Sequence, residues 1–241
     1  MEDRLIRLNK FFSEIGYCSR READRLIDEG RVTIDDRDVL MGEKINLDDY
    51  ESGKIKVAVD GKVISEKKME QIVIAYNKPV GIECTNDINN KDNIIKAIGF
   101  DKKLVYLGRL DKNSHGLILL TTDGELVNKI MRSRNNKEKE YIVHVSKPIT
   151  EEFLEGMRSG VPILDTVTKE CKVTKLTETS FNIVLTQGLN RQIRRMCDYF
   201  GYTVSDLKRV RVCNIRLGKL KSGTYRVLSE EEINELINDG E

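Results

Sequence analysis

The first stretch of the chain alternates between apolar and polar positions in a way that defines short elements. Leu5, Leu8, Phe12 and Ile15 recur at the spacing of one helical face, and Gly16 closes the run. Ser19-Arg20-Arg21-Glu22 has the form of a capping box, in which a Ser at the N-cap and a Glu three residues on satisfy orphan amides at a helix start. The helix it opens carries Ala23, Leu26 and Ile27 and stops at Gly30. Val32 and Ile34 then alternate with polar residues, a strand pattern, and Ile55–Val59, Asp60-Gly61 and Lys62–Ile64 read as a hairpin. Residues 1–66 are therefore predicted to form one module of two short helices followed by a few strands.

The polar stretch from Ser65 to Glu70 breaks this pattern, and residues 67–70 are predicted to be a linker. Residues 71–241 form the second predicted domain. Its first element, Ile72–Tyr76, is a buried-strand run that ends in Asn77-Lys78-Pro79-Val80-Gly81. Further strands are predicted at 104–107, 117–121, 141–145, 181–186, 210–217 and 225–228, and helices at 124–132, 150–158, 190–200 and 229–237. The last helix opens on a second capping box, Ser229-Glu230-Glu231-Glu232. Strands and helices intermix without strict βαβ alternation, so the expected class is α+β.

Composition narrows the functional classes. With 241 residues, 39% of them hydrophobic, the chain is long enough for one large or two smaller cored domains. It lacks an apolar run of membrane-spanning length, and its polar start, MEDRLIRLNK, has no signal-peptide pattern. Cys18, Cys84, Cys171, Cys197 and Cys213 are odd in number and widely spaced, which fits reduced thiols in a cytoplasmic protein. His115 and His144 are the only histidines, so no metal is expected, and no phosphate-cradling Gly loop is present.

The formal net charge of +1 conceals a segregation of charge. Residues 1–66 hold 12 basic and 16 acidic groups, net −4, whereas residues 186–226 hold 10 basic and 2 acidic, net +8. Dense basic charge on one segment is the footprint of a polyanion partner, or else a solvated basic face. Within the helix predicted at 190–200, Ile193, Met196, Cys197 and Phe200 face the core, and Arg191 and Arg195 share a neighbouring face. In the first module Arg7, Lys10, Arg20, Arg21 and Arg25 lie on or near the two helices and make a local basic patch despite the acidic total.

Several strings resemble known families. Residues 4–64, through Arg4-Leu5-Ile6-Arg7-Leu8-Asn9-Lys10 and Cys18-Ser19-Arg20-Arg21-Glu22-Ala23-Asp24, resemble an S4 RNA-binding domain, with Asp35-Asp36-Arg37 at a turn where that family usually has a Gly. Residues 71–240 resemble bacterial ribosomal pseudouridine synthases of the RsuA family. Four blocks agree in order: Asn77–Gly81, then Gly108-Arg109-Leu110-Asp111 with Gly116–Thr121 and Asp123-Gly124, then Lys139-Glu140-Tyr141, then Asn190-Arg191-Gln192-Ile193-Arg194-Arg195-Met196. The wording Gln187-Gly188-Leu189-Asn190, with Val161–Leu164 and Lys169–Val173, is similar to the RluF-type branch, which acts on 23S ribosomal RNA.

The resemblance implies a small S4-like module followed by a larger domain with a mixed, mainly antiparallel sheet, flanking helices and a central cleft. It implies isomerisation of a flipped-out uridine to pseudouridine, a reaction that needs no cofactor. Asp111 matches the catalytic aspartate, and Arg194 the basic partner, whose planar fork suits a bidentate hold on Asp111. Tyr141 matches a tyrosine that stacks on uracil. Leu185 is expected under the pocket, either as a lining residue or as plain core. Lys78 and Arg109 are candidates for phosphate contact or for structural pairing, and Asn190, Arg191, Gln192, Arg195, Lys208 and Arg209 are expected to meet RNA. His115, four residues after Asp111, is adequately explained as part of a polar turn. The expected partner is 23S ribosomal RNA at a stem-loop, acted on by a monomer. The alternatives are a tRNA anticodon loop, 16S ribosomal RNA, or a noncatalytic S4-type RNA-binding or ribosome-assembly protein.

Overall fold

A computed structural model of the chain describes residues 4–64, 72–87, 89–131 and 137–238. The predicted linker at 67–70 lies outside these residues. The chain divides into two compact units, the first principally up to residue 71 and the second principally from Ile72 onward.

The first unit runs β1 (Leu5–Arg7), α1 (Leu8–Glu14), α2 (Arg20–Asp28), β2 (Val32–Ile34), β3 (Arg37–Asp38), β4 (Lys44–Asn46), α3 (Leu47–Glu51), β5 (Val57–Val59) and β6 (Lys62–Val63). Its core joins Leu8, Phe11 and Phe12 of α1 to Ala23, Leu26 and Ile27 of α2 and to Val32, Val57 and Val59 of the sheet β3-β2-β5-β6. At the start of α2 the Ser19 hydroxyl accepts from the Glu22 amide at 3.2 Å, as the capping box predicts. Leu5 is not part of the first helix. It is exposed in β1, because Leu5–Arg7 pair antiparallel with β4 and make their backbone bonds sideways. The turn without the usual Gly is made by Asp35 and Asp36 at φ 49° and 62°. Aspartates tolerate that left-handed region by local hydrogen bonding, and Asp35 Oδ1 accepts from the Lys56 amide at 2.8 Å.

The second unit continues with β7 (Val73–Lys78), α4 (Ile94–Ile98), β8 (Val105–Leu107), β9 (His115–Thr121), α5 (Gly124–Met131), β10 (Lys139–Val145), α6 (Glu151–Ser159), β11 (Pro162–Ile163) and β12 (Thr166–Val167). It ends with β13 (Lys172–Thr177), β14 (Ser180–Leu185), α7 (Gln192–Tyr199), β15 (Val204–Val212), β16 (Ile215–Arg216), β17 (Tyr225–Val227) and α8 (Glu230–Asn238). One sheet takes the order β13-β14-β10-β15-β9-β7-β17, with β8 also on β9 and β16 on β15, while β11 and β12 form a separate hairpin. Its pairings are antiparallel except that of β15 with β9, where Lys208 faces His115 and Arg209 faces Gly116. The unit is α+β, with a mixed and mainly antiparallel sheet.

Strand periodicity explains how both faces of this sheet are covered. Successive side chains on β7 and β9 point to opposite sides. Val73, Ala75, Leu117 and Leu119 meet Leu126 and Ile130 of α5 and Ile233 and Leu236 of α8. Ile74, Tyr76, Ile118 and Leu120 meet Ile94 and Ile98 of α4 and Leu104. A third cluster gathers α6 and α7 onto β10 and β14 through Phe153, Met157, Val143, Phe181, Ile193 and Met196.

Predicted element ends agree to within two residues for most of this unit, but the strand expected at 210–217 is displaced. The long strand is β15, Val204–Val212, and Ile215–Arg216 is a separate short strand folded back on it. Opposite the consecutive pairs Glu140/Tyr141 and His144/Val145 of β10, strand β15 carries one extra residue each, Val210 and Ser205, and these bulges break its alternation and hide it from a period-two reading. Helix α4 and strands β11–β13 have no counterpart among the predicted elements.

Candidate active site

The loop Gly108–Ser114 joins the antiparallel neighbours β8 and β9 and carries Asp111. Leu110 is buried in the cluster with Ile74 and Ile118, and its amide points at Cys84 Sγ at 3.4 Å, which anchors the loop from below. Asp111 itself is half-buried, and its carbonyl accepts from the Ser114 amide at 3.0 Å.

Three cations from three other elements hold the backbone of this loop. Lys78, at the end of β7 and fully buried, donates from Nζ to the carbonyls of Pro79 at 2.9 Å, Ile82 at 2.7 Å and Lys112 at 3.5 Å. Arg209 of β15, 2% exposed, donates from Nε to Leu117 O at 2.6 Å and from Nη1 to Arg109 O at 3.4 Å. Arg194 of α7 donates from Nη2 to Asn113 O at 2.8 Å and Ser114 Oγ at 3.3 Å, and from Nη1 to Val204 O at 3.2 Å.

These placements change two sequence expectations and decide a third. Arg194 does not grip Asp111 with a two-pronged fork, because its outer nitrogens are spent on the loop and on Val204. Arg209 is enclosed among backbone carbonyls and does not present its charge to a phosphate, and Lys78, equally enclosed, takes the structural of the two roles open to it. A hydrophobic sheet flanked by loop carbonyls needs buried donors, and lysine and arginine supply them. Gln192 differs in the same way. It is 5% exposed, its Oε1 accepts from Leu189 N at 3.0 Å, and its Nε2 reaches Gln187 Oε1 at 3.4 Å. It closes the loop before α7. Gln187, which also accepts from Lys169 N at 3.0 Å, is a brace the sequence did not single out.

Other candidates remain at the surface. Arg109, Asn190, Arg191 and Arg195 are exposed, and Lys208 is half-buried. Arg195 is aimed by Asn190, donating to its carbonyl at 3.1 Å and to its Oδ1 at 3.3 Å. Tyr141 stands on β10 opposite Arg209 of β15 and Ile183 of β14. It packs against both the cluster that contains Leu110 and the one that contains Leu185, Ile193 and Leu207. Leu185 is 3% exposed and sits in the core. His115 Nε2 lies 3.0 Å from Asp206 Oδ1, which ties the end of the Asp111 loop to β15 and gives the histidine a structural partner.

The electrostatics of the site are weighted toward positive charge. Burial pushes the Lys78 ammonium down to about 8, with Cys84 and Asp111 opposing that shift. Burial lowers Lys139 as well, and Arg209 adds to the effect. Arg194 is lowered by burial and then by neighbouring Arg191, while Asp111 and Asp206 act the other way. Asp111 is thus a carboxylate that both Lys78 and Arg194 sense. Among the described residues no cluster of His, Cys, Asp or Glu has the arrangement of a metal site, and no helix is long and apolar enough to cross a membrane.

In the first unit, Lys10 is paired with Glu14 at 2.7 Å, and Arg25 with Glu22 at 2.6 Å and Glu29 at 2.9 Å. Arg7, Arg20 and Arg21 are exposed and form no ion pair among the described residues. The basic patch expected there narrows to those three.

Comparison with known proteins agrees with this arrangement. The RNA pseudouridylate synthase family matches residues 72–199, and the S4 domain family matches residues 6–45. The dual-specificity RNA pseudouridine synthase RluF of Escherichia coli K12 is 48% identical over 98% of this chain and 80% of its own length. The ribosomal large subunit pseudouridine synthase B of Vibrio cholerae is 35% identical over 95% of this chain and 74% of its own. A crystal structure of a pseudouridylate synthase superposes with a TM-score of 0.69 at 28% identity, covering 96% of this chain and 99% of that one. The loop that carries Asp111, the strand that carries Tyr141 and the helix that carries Arg194 all lie inside the matched region, and the chain belongs to the RNA pseudouridylate synthase family, as an RsuA-type enzyme of the RluF kind.

Proposed function

We propose that the protein converts a specific uridine of 23S ribosomal RNA to pseudouridine, with Asp111 as the group that starts the reaction, and that it works as a cytoplasmic monomer. The observation that carries this reading is the setting of Asp111. It is a half-buried carboxylate on a loop whose carbonyls are held by Lys78, Arg194 and Arg209, so its position is fixed while its charge stays within reach of a ligand.

The isomerisation breaks the N1–C1′ bond, turns the base and joins C1′ to C5; the proton on C5 passes to solvent, and N1 takes one up in its place. Asp111 acts on the sugar or the base as nucleophile or charge stabiliser, and Tyr141 supports the displaced uracil ring. Arg194 and Arg209 position the loop. The target uridine leaves its stack to be reached, at a cost of about a few kcal/mol that phosphate contacts offset. Arg7, Arg20 and Arg21 on the S4 unit, with exposed Arg109, Arg191 and Arg195 and half-buried Lys208 on the other, are the groups available for those contacts.

A tRNA is a second candidate substrate. It is favoured by the words "dual-specificity" in the name of the relative with 48% identity. The test is tritium release from RNA labelled at uridine C5, with 23S fragments, 16S RNA and tRNA in parallel and Asp111→Asn as control. Release from 23S RNA by the wild type and none by the variant is expected. Equal release by both proteins would remove Asp111 from the mechanism, and release only from tRNA or 16S RNA would move the substrate.

A further inference from the structure

Beside α7 lies a solvent-open cavity of about 320 Å³. Arg191, Arg194 and Arg195 line it together with Asp198, Tyr202 and Val204, and Asp111 does not. Three guanidinium groups therefore face one carboxylate. Asp198 is not within ion-pair distance of any of them, and none of the three arginines forms an ion pair among the described residues.

The fixed hydrogen bonds leave these groups short of negative charge. Arg194 spends Nη1 and Nη2 on neutral oxygens, and its Nε is buried with no partner at all. Arg195 spends Nε and Nη2 on Asn190, which aims the fork and leaves Nη1 over. Arg191 holds a left-handed backbone, φ 52° and ψ 33°, at the N-cap of α7, and its side chain does not cap the helix. Arg191 is close enough to Arg194 to disfavour its charge, and the acids that oppose this at Arg194, Asp111 and Asp206, lie on other elements and do not bond to it. Part-buried charges are ordinarily paired, and a crowded pair of guanidinium groups without an anion is the complement of one.

We propose that this cavity is a phosphate subsite that takes one backbone phosphodiester of the substrate RNA, held between Arg191 and Arg195 with Arg194 behind it. The planar forks suit a phosphate's oxygens, and the volume lies at the lower end of ligand sites. The proposal rests on the reading of the chain as an RNA enzyme. It adds a consequence: Arg194 also holds Asn113 and Ser114, so the phosphate docks on the same side chain that fixes the Asp111 loop.

The test uses the full chain and a synthetic stem-loop of 23S RNA. Arg191→Gln and Arg195→Gln are compared singly and together for RNA binding across a salt series. Each single change is expected to weaken binding by about 5- to 10-fold with little change in the slope of log K against log salt, because the other arginine still neutralises the phosphate. The double change is expected to lower the slope by about 0.7–0.9 in all, the value for one phosphate. Replacing phosphates one at a time by methylphosphonate should then reveal one position that weakens binding to the wild type and has no effect on the double variant. Unchanged affinity, or a slope that falls separately for each arginine, would overturn the subsite and leave a diffuse basic face. Melting temperatures of the variants separate lost contacts from lost folding. Tritium release by the wild type separates the two readings: release with no effect of the arginine changes defeats the subsite alone, whereas no release on any RNA defeats the enzyme reading.

Discussion

The Nη1 group of Arg209 donates to the carbonyl of Arg109 at 3.4 Å, across 100 positions of chain. With its Nε on Leu117 O, a single buried side chain on β15 holds the loop that carries Asp111 near both of its ends, two residues before Asp111 and six after it. Arg209→Leu removes both bonds and the enclosed charge together. It is expected to cost about 2–4 kcal/mol in urea unfolding of the second unit. Arg209→Lys keeps the charge without the fork and is expected to cost less but still to slow turnover. Full activity of the lysine variant would show that the loop needs only the cation. Reversing the charge of both Lys208 and Arg209 would be a poor test of RNA binding, because Arg209 is buried and its reversal unfolds the sheet first.

Lys78 gives the protein a pH signature. Its folded-state value of about 8 lies below the ordinary lysine value of 10.5. Between those two values the unfolded chain holds a proton that the folded chain has released, so this group makes stability rise with pH across that window. Below about pH 8 both states are protonated and its penalty is constant. Lys78→Met abolishes the rise. The stability of the wild type minus that of the variant is expected to increase by roughly 1–3 kcal/mol between pH 8 and pH 10.5. A difference that stays flat in urea titrations at several pH values would mean that the ammonium is not penalised by burial.

Gly116 adopts φ +100°, and a Cβ built there would lie 2.3 Å from the carbonyl oxygen of Arg209. The obstacle is backbone of the adjacent parallel strand and cannot turn aside. Gly116→Ala is expected to cost about 3 kcal/mol or more. At Gly156 a Cβ would meet the Phe200 ring at 2.4 Å, but that obstacle is a half-buried side chain that can rotate. Gly156→Ala should be the milder change, and thermal unfolding of the two variants side by side checks the order.

At the start of α8 both halves of a capping box are formed. The Ser229 hydroxyl accepts from Glu232 N at 3.2 Å, and Glu232 Oε2 accepts from Ser229 N at 3.0 Å. Glu232 also takes a two-pronged bond from Arg226, and that guanidinium is the main reason its carboxyl lies below the usual range. Ser229→Ala is expected to cost about 1 kcal/mol, and Glu232→Gln somewhat more because it loosens Arg226 as well. Equal melting temperatures for Ser229→Ala and the wild type would contradict the capping assignment.

The sequence was most legible where one residue acts through local geometry. Ser19 and Ser229 cap the helices predicted for them, and Gly108-Arg109-Leu110-Asp111 is a loop between paired strands. It was least legible where a residue type departs from its usual place. Gln192 and Arg209 read as RNA-facing groups because their polarity or charge suits water, yet both are enclosed, as is Lys78: Gln192 bonds within its own loop, Lys78 reaches Lys112 O besides its near neighbours, and Arg209 meets only carbonyls brought in from distant segments. No local pattern announces such partners: the bonds of Arg209 span 92 and 100 positions. Strand β15 was displaced for a related reason, since its buried arginine and its own bulges at Ser205 and Val210 interrupt the apolar alternation that marks a strand.

The parallel pairing of β9 with β15 also governs how the second unit can be built during synthesis. β15 enters between β10 and β9, strands that precede it by more than 50 residues of chain, and every bond that joins those two halves of the sheet passes through it. A growing chain that has not yet reached Val204 holds β9 and β10 with open edges, and loop closure over such separations is slow. The S4 unit, whose paired elements end at Val63, can fold long before this. The chain therefore completes its S4 unit first, and the loop that carries Asp111 gains its Arg209 brace only once β15 has been made.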